Sequence, residues 1–106
     1  MFQINEMDVE QLDQLRQEGS QDYVLIDVRS PMEVQQGKIE GGEAIPLHLI
    51  PLKMAVLPRD KRVIFYCRTG ARSAQACAFA TNQGLDNCYN LVGGIVAWVR
   101  SGKPII

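Results

Sequence analysis

The sequence has a single histidine, His48, and only three cysteines, Cys67, Cys77 and Cys88, none of which belongs to a Cys-x-x-Cys pair. A structural zinc site takes about four such ligands, so neither a metal nor another cofactor is expected. An odd number of cysteines in a chain of 106 residues does not make a disulfide scaffold. Charge of one sign is also missing. The net charge of -1 argues against a nucleic-acid or membrane-surface binder, which would carry a basic excess or patch. No apolar run approaches the ~20 residues that cross a bilayer. Residues Met1 to Glu10 lack a basic segment followed by an apolar one, so no secretory signal is read and a cytoplasmic location is expected. Repeats and low-complexity tracts are absent as well.

What remains is 46% hydrophobic and 22% charged, the balance of an ordinary globular protein with one core. Residues 1–106 are therefore read as one domain. Short apolar runs alternate with helical patterns, which predicts an α/β fold with a mostly parallel sheet. Phe2-Gln3-Ile4, Tyr23 to Ile26, Ala44-Ile45, Arg62 to Tyr66 and Cys88 to Leu91 read as strands. Asp8 with Gln11 forms a capping box for a helix carrying Val9, Leu12 and Leu15 and ending at Gly19. Ser30-Pro31 introduces a short helix, Met32 to Gln36, closed by Gly37. Leu47 to Leu57 reads as a helix bent at Pro51, Ser73 to Gln83 as a helix stopped by Gly84, and Ile95 to Arg100 as a last short one. Gly93-Gly94 is a tight turn, and it lacks the lysine-containing pattern of a phosphate loop. Trp98, with Ile95 and Val99, reads as core.

The chemistry concentrates in Cys67-Arg68-Thr69-Gly70-Ala71-Arg72-Ser73, at the end of the strongest strand and the start of a helix. In open α/β sheets ligands sit at such turns. A helix N-terminus, two arginines and a glycine-bearing turn able to aim several amides inward all favour a thiolate. Cys67 is thus the candidate nucleophile, and Arg68 to Arg72 the candidate anion cradle. Thr69 would act through its amide, Arg68 as an exposed substrate contact, and Arg72 as a brace. Ser73 is either an N-cap or a donor to the sulfur. Asp27 ends the neighbouring strand, either solvated or paired with a loop arginine. Cys77 and Cys88 read as core, and His48 as a surface residue rather than a general base. Thiolates attack sulfur readily and arginine grips oxyanions, so a small anionic sulfur donor such as thiosulfate suits the turn.

Four segments in order resemble the single-domain rhodanese, or thiosulfate sulfurtransferase, family. They are Asp27-Val28-Arg29; Glu33 with Gly37-x-Ile39-x-Gly41 and Ile45-Pro46; Cys67 to Arg72; and Leu91-x-Gly93-Gly94-x-x-Ala97-Trp98. Lys38 and Gly42-Glu43-Ala44 depart from the family pattern. The resemblance implies a five-stranded parallel sheet with helices on both faces. It also implies a double displacement through a persulfide on Cys67, with a thiol, cyanide or a protein as acceptor. Four residues separate Cys67 from Arg72. The related cell-cycle dual-specificity phosphatases have five, a wider cradle for phosphate, so the shorter turn favours sulfur. Two further readings stay open: a sulfur-carrier or binding module for a protein partner, and a phosphatase or arsenate reductase.

Overall fold

A computed structural model describes residues 4–106. Five parallel strands form one sheet in the order β1-β5-β4-β2-β3. They are β1 (Asn5–Met7), β2 (Tyr23–Asp27), β3 (Glu43–Ala44), β4 (Arg62–Tyr66) and β5 (Cys88–Leu91). The helices are α1 (Val9–Gln17), α2 (Pro31–Gln35), α3 (Ile50–Lys53), α4 (Ala71–Asn82) and α5 (Gly94–Arg100). The expected fold class holds, with helices on both faces of the sheet.

Side chains alternate across a strand, and β4 shows how this sorts the core. Val63 and Phe65 face a cluster with Ala76, Cys77 and Ala80 of α4, whereas Ile64 and Tyr66 face a second cluster with Leu12 of α1 and Trp98 of α5. The strand ends at Tyr66, but the alternation continues by one residue. Cys67 therefore joins the α4 side. On the opposite side Trp98 is fully buried, and its indole N–H donates to the Pro104 carbonyl at 2.8 Å. That bond fixes the segment after α5 against the core.

Several sequence boundaries shift for identifiable reasons. The capping box at Asp8 forms as read, with Gln11 N–H donating to Asp8 and Gln11 Oε1 accepting from the Asp8 amide. Of the expected first strand Phe2-Gln3-Ile4, Phe2 and Gln3 lie outside the described residues and Ile4 is not in a strand; β1 spans Asn5–Met7, with Asn5 paired to Tyr89. The expected Ala44-Ile45 strand is Glu43–Ala44, and the α2 helix starts at Pro31 rather than Met32. Leu47 to Leu57 is not one helix. It breaks into a 3-10 turn (Leu47–Leu49), α3 and a second 3-10 turn (Met54–Val56). Pro51 lacks the amide that would continue a helix from the preceding turn. Ser73 does not open α4; Gly70 is its N-cap, in a left-handed conformation with φ 109° that a side chain would strain.

Candidate active site

β4 delivers Cys67 to the sheet's carboxyl end, and the chain turns there into α4. The Cys67 sulfur has no exposed surface. The Gly70 amide donates to Sγ at 3.1 Å and the Ser73 amide at 3.4 Å, while the Ser73 hydroxyl lies 3.4 Å away. These donors converge because the left-handed Gly70 curls the chain back over the sulfur as α4 begins. Burial is the largest single influence on the thiol and pushes its pKa up. The Ser73 hydroxyl and the amides of Ser73, Gly70 and Thr69 together outweigh it and hold the pKa below the ordinary thiol value.

Ser73, foreseen as either a cap or a donor to sulfur, is not the cap of α4; its amide donates to Sγ and its hydroxyl lies 3.4 Å from it. Ser73 is fully buried, and its hydroxyl donates to Asn90 Oδ1 of β5 at 2.5 Å. Asn90 did not stand out in the sequence. The signal was there: one amide in an otherwise apolar or aromatic strand, Cys88-Tyr89-Asn90-Leu91, at the inward position of the strand beside β4. Replacing Ser73 with alanine removes the hydroxyl that lies 3.4 Å from the sulfur and leaves Asn90 Oδ1 without its donor. The expected result is a raised thiol pKa, seen as a shift of the iodoacetamide rate profile to higher pH. A stability loss of about 1–3 kcal/mol should accompany it.

The arginines divide differently from the sequence reading. Arg72, expected to act as a brace, pairs with Glu33 and not with Asp27. Two bonds of 2.7 and 2.8 Å join the guanidinium to the Glu33 carboxylate. Asp27 is buried and committed to its near neighbour Arg29, at 2.7 Å, so the anticipated pair with a loop arginine does not form. Arg29 also donates to the Gly37 carbonyl at 2.7 Å, tying the end of α2 to β2. Its proximity follows from Asp27-Val28-Arg29, where two residues of extended chain return to the same side. Because Arg72 is neutralised, the two arginines are not the main source of thiol acidity. The Arg68 side chain is exposed and makes no hydrogen bond or ion pair among the described residues. Thr69 is exposed beside it, Ala71 opens α4 on the surface, and Gly70 is buried beneath.

Glu33 is a residue whose role sequence reasoning missed, although Ser30 three residues earlier marks it as the far end of a capping box. Bonds from Arg72 first, and from the Ser30 amide and hydroxyl against the opposing effect of burial, lower its pKa from 4.5 to about 2. A depressed carboxylate contributes stability that is complete above pH 4.5 and lost as pH falls through about 2. The pair is about one-third exposed, so its contribution falls within about 0.2–1 kcal/mol. Chemical denaturation of the parent and Glu33→Gln should show a gap at pH 7 that closes toward pH 2. A gap unchanged across that interval would contradict the assignment.

The turn is also held from α5. The Ile95 amide donates to the Cys67 carbonyl at 3.0 Å and the Val96 amide to the Arg68 carbonyl at 3.1 Å. Cys77 and Cys88 are buried in the α4-side cluster, free of disulfides. Among the described residues no group of His, Cys, Asp and Glu could hold a metal ion, and no helix is long and apolar enough to cross a membrane.

A rhodanese-like domain model matches residues 8–101. A sulfurtransferase of Allochromatium vinosum is 48% identical over 103 residues, which is 97% of this chain and 95% of that protein. Among solved structures, a rhodanese-related protein from Thermoplasma volcanium is 31% identical, with a TM-score of 0.85 over 96% of this chain and 97% of the other. A protein from Rhodopseudomonas palustris, described as a possible tyrosine phosphatase, is 29% identical with a TM-score of 0.91 over 97% of this chain and 85% of its own. An enclosed cysteine at the end of the fourth of five parallel strands, in a chain matched over nearly its whole length, places this protein in the rhodanese-like domain family.

Proposed function

We propose that the protein is a sulfurtransferase that carries a sulfane sulfur on Cys67, taking it from thiosulfate or a persulfide donor and passing it to cyanide, a thiol or a protein. The observation that carries this reading is the enclosure of Sγ by the Gly70 and Ser73 amides and the Ser73 hydroxyl. The two amides stabilise a sulfur anion at this point, first the thiolate and then the outer sulfur of a persulfide. With thiosulfate, the thiolate attacks the outer sulfur. The S–S bond to the sulfonate breaks, sulfite leaves with the electron pair, and Cys67 retains a persulfide anion. Cyanide then attacks that outer sulfur and leaves as thiocyanate, returning the thiolate. No proton need move in either step, which suits a site whose only histidine, His48, lies on a different segment.

Because the sulfur is enclosed, the exposed lip at Arg68 and Thr69 must move aside to admit a donor. Arg68 is then positioned to meet the departing oxyanion. The same chemistry serves a sulfur carrier, where the acceptor is a protein and turnover with small thiols is slow. The phosphatase description of the Rhodopseudomonas palustris relative makes phosphate release the competing outcome. Intact mass after incubation with thiosulfate separates the readings. One added sulfur atom, removed by cyanide with thiocyanate release, supports sulfur transfer. No added sulfur, together with phosphate release from an aryl phosphate, would sink it.

A further inference from the structure

Asn90 lies on β5 between Phe65 of β4 and Glu6 of β1, and is 4% exposed. Its strand neighbours Cys88 and Leu91 and its partner Phe65 are fully buried. A buried amide costs free energy unless its polar atoms are satisfied, whereas an apolar side chain would pack there without that cost. The oxygen of this amide is satisfied by one group, the Ser73 hydroxyl.

A hydroxyl has a single hydrogen to give. Ser73 Oγ lies 2.5 Å from Asn90 Oδ1 and 3.4 Å from Cys67 Sγ. The shorter separation fits an O–H···O bond and is too short for N–H···O, so the amide presents its carbonyl oxygen, which only accepts. The other half of the amide faces the turn: a Cβ added to Gly70 would lie 3.9 Å from Asn90 Nδ2. With its hydrogen on Asn90, Ser73 turns lone pairs toward the sulfur. That suits a protonated thiol, whose S–H can donate to Oγ, and opposes a thiolate. When the thiol ionises, the hydrogen must rotate about the Cβ–Oγ bond to reach Sγ, and Asn90 Oδ1 loses its donor. No heavy atom has to move.

Resting on the sulfurtransferase reading for its use but not for its geometry, we propose that Asn90 is a positioning residue that competes with the Cys67 sulfur for the Ser73 hydrogen. It favours the neutral thiol, against the Gly70 and Ser73 amides, which favour the anion. The opposition serves sulfur transfer, because the nucleophilicity of a thiolate falls as its pKa falls. An acceptor that limits the drop keeps the ionised sulfur reactive. The charged groups around the sulfur take no part in the exchange. Arg72 of α4 is paired with Glu33 of α2, Asp27 of β2 is paired with Arg29, and Arg68 is exposed on the turn. On β5 Asn90 is itself uncharged, and α5 meets the turn through the Ile95 and Val96 amides.

Asn90→Leu, which matches the branched shape of the amide, and Asn90→Val, a good strand former, each remove the acceptor. The iodoacetamide rate profile of Cys67 should then move to lower pH by about one unit, the worth of one neutral hydrogen bond. The limiting rate of persulfide formation from thiosulfate at high pH should fall about threefold, as for any thiolate of lower basicity. In a Ser73→Ala background the same substitutions should leave the profile in place. A merely structural Asn90 gives the opposite sign, a profile moved to higher pH as the donors loosen. That result, an unmoved profile, or an equal shift without Ser73 would overturn the inference. Should neither variant fold by circular dichroism, the parent protein decides. The NMR resonance of the Asn90 side-chain carbonyl carbon should titrate with the Cys67 thiol, and should cease to do so in Ser73→Ala; a resonance indifferent to that ionisation overturns the inference equally. Alkylation does not depend on sulfur transfer. A parent protein that takes up no sulfur from thiosulfate would therefore remove the sulfurtransferase reading, while the alkylation profile still judges Asn90.

Discussion

Cys67→Ser is expected to abolish sulfur uptake from thiosulfate, with no added sulfur by intact mass and no thiocyanate on adding cyanide. The substitution is nearly isosteric, and the serine oxygen can accept from the same Gly70 and Ser73 amides that serve Sγ. The fold should therefore survive, with far-UV circular dichroism unchanged and a stability change within about 1.5 kcal/mol. What disappears is the nucleophile. A hydroxyl needs an adjacent general base to be activated, and none adjoins this turn, whereas a thiol in this setting ionises without one. Persistent sulfur loading in the serine variant would move the carrier to Cys77 or Cys88. Both lie buried in the core beneath α4, away from the lip.

Gly94→Ala should come close to the same loss without touching the cysteine. Gly94 has φ 58°, and a Cβ there would sit 2.5 Å from the carbonyl oxygens of both Cys67 and Arg68. These are backbone atoms and cannot swing away as a side chain would. To accept the methyl group, α5 must retreat or the turn must move, and either breaks the bonds from the Ile95 and Val96 amides. The left-handed conformation adds about 1 kcal/mol of strain for a residue with a side chain. A displacement of about 1 Å at reacting groups can cost 100-fold in rate. Persulfide formation should therefore fall by at least tenfold, and the melting temperature should drop by several degrees. Unaltered loading kinetics would show that α5 does not set the turn's geometry.

The fold and the turn around Cys67 were legible because each rests on local information. The apolar run Arg62 to Tyr66 ends abruptly at a cysteine, and Ser73 onward reads as helix, so the strand-turn-helix unit around that thiol follows from a short stretch of chain, with the helix in fact starting two residues earlier, at Ala71. The partners of that unit come from elsewhere. Asn90 is an ordinary amide until β5 pairs with β4 and brings it to Ser73. Glu33 meets Arg72 only because Arg29 ties α2 back to β2. Sequence reasoning credited the loop amides and the helix N-terminus with activating the thiol, and both arginines beside them, since charges near in sequence were counted without their counter-ions. The hydrogen bonds at the sulfur, of which the amides were foreseen, carry that role without the arginines. The placement of Ile105 over Gly37 had no local signature, because it depends on backbone bonds between Lys38 and Ile106.

The amide clasp of α5 on the Cys67 and Arg68 carbonyls has a consequence for the order in which reactivity arises. During synthesis the cysteine emerges well before the helix that holds its turn, and before Asn90, which fixes Ser73. Until β5 pairs and α5 docks, the donors have no reason to converge on the sulfur, and Cys67 behaves as an ordinary, mostly protonated thiol. Its acidity is therefore acquired with completion of the fold. A partly unfolded chain carries a cysteine without these donors, so the acidity of the thiol reports whether β5 and α5 are in place.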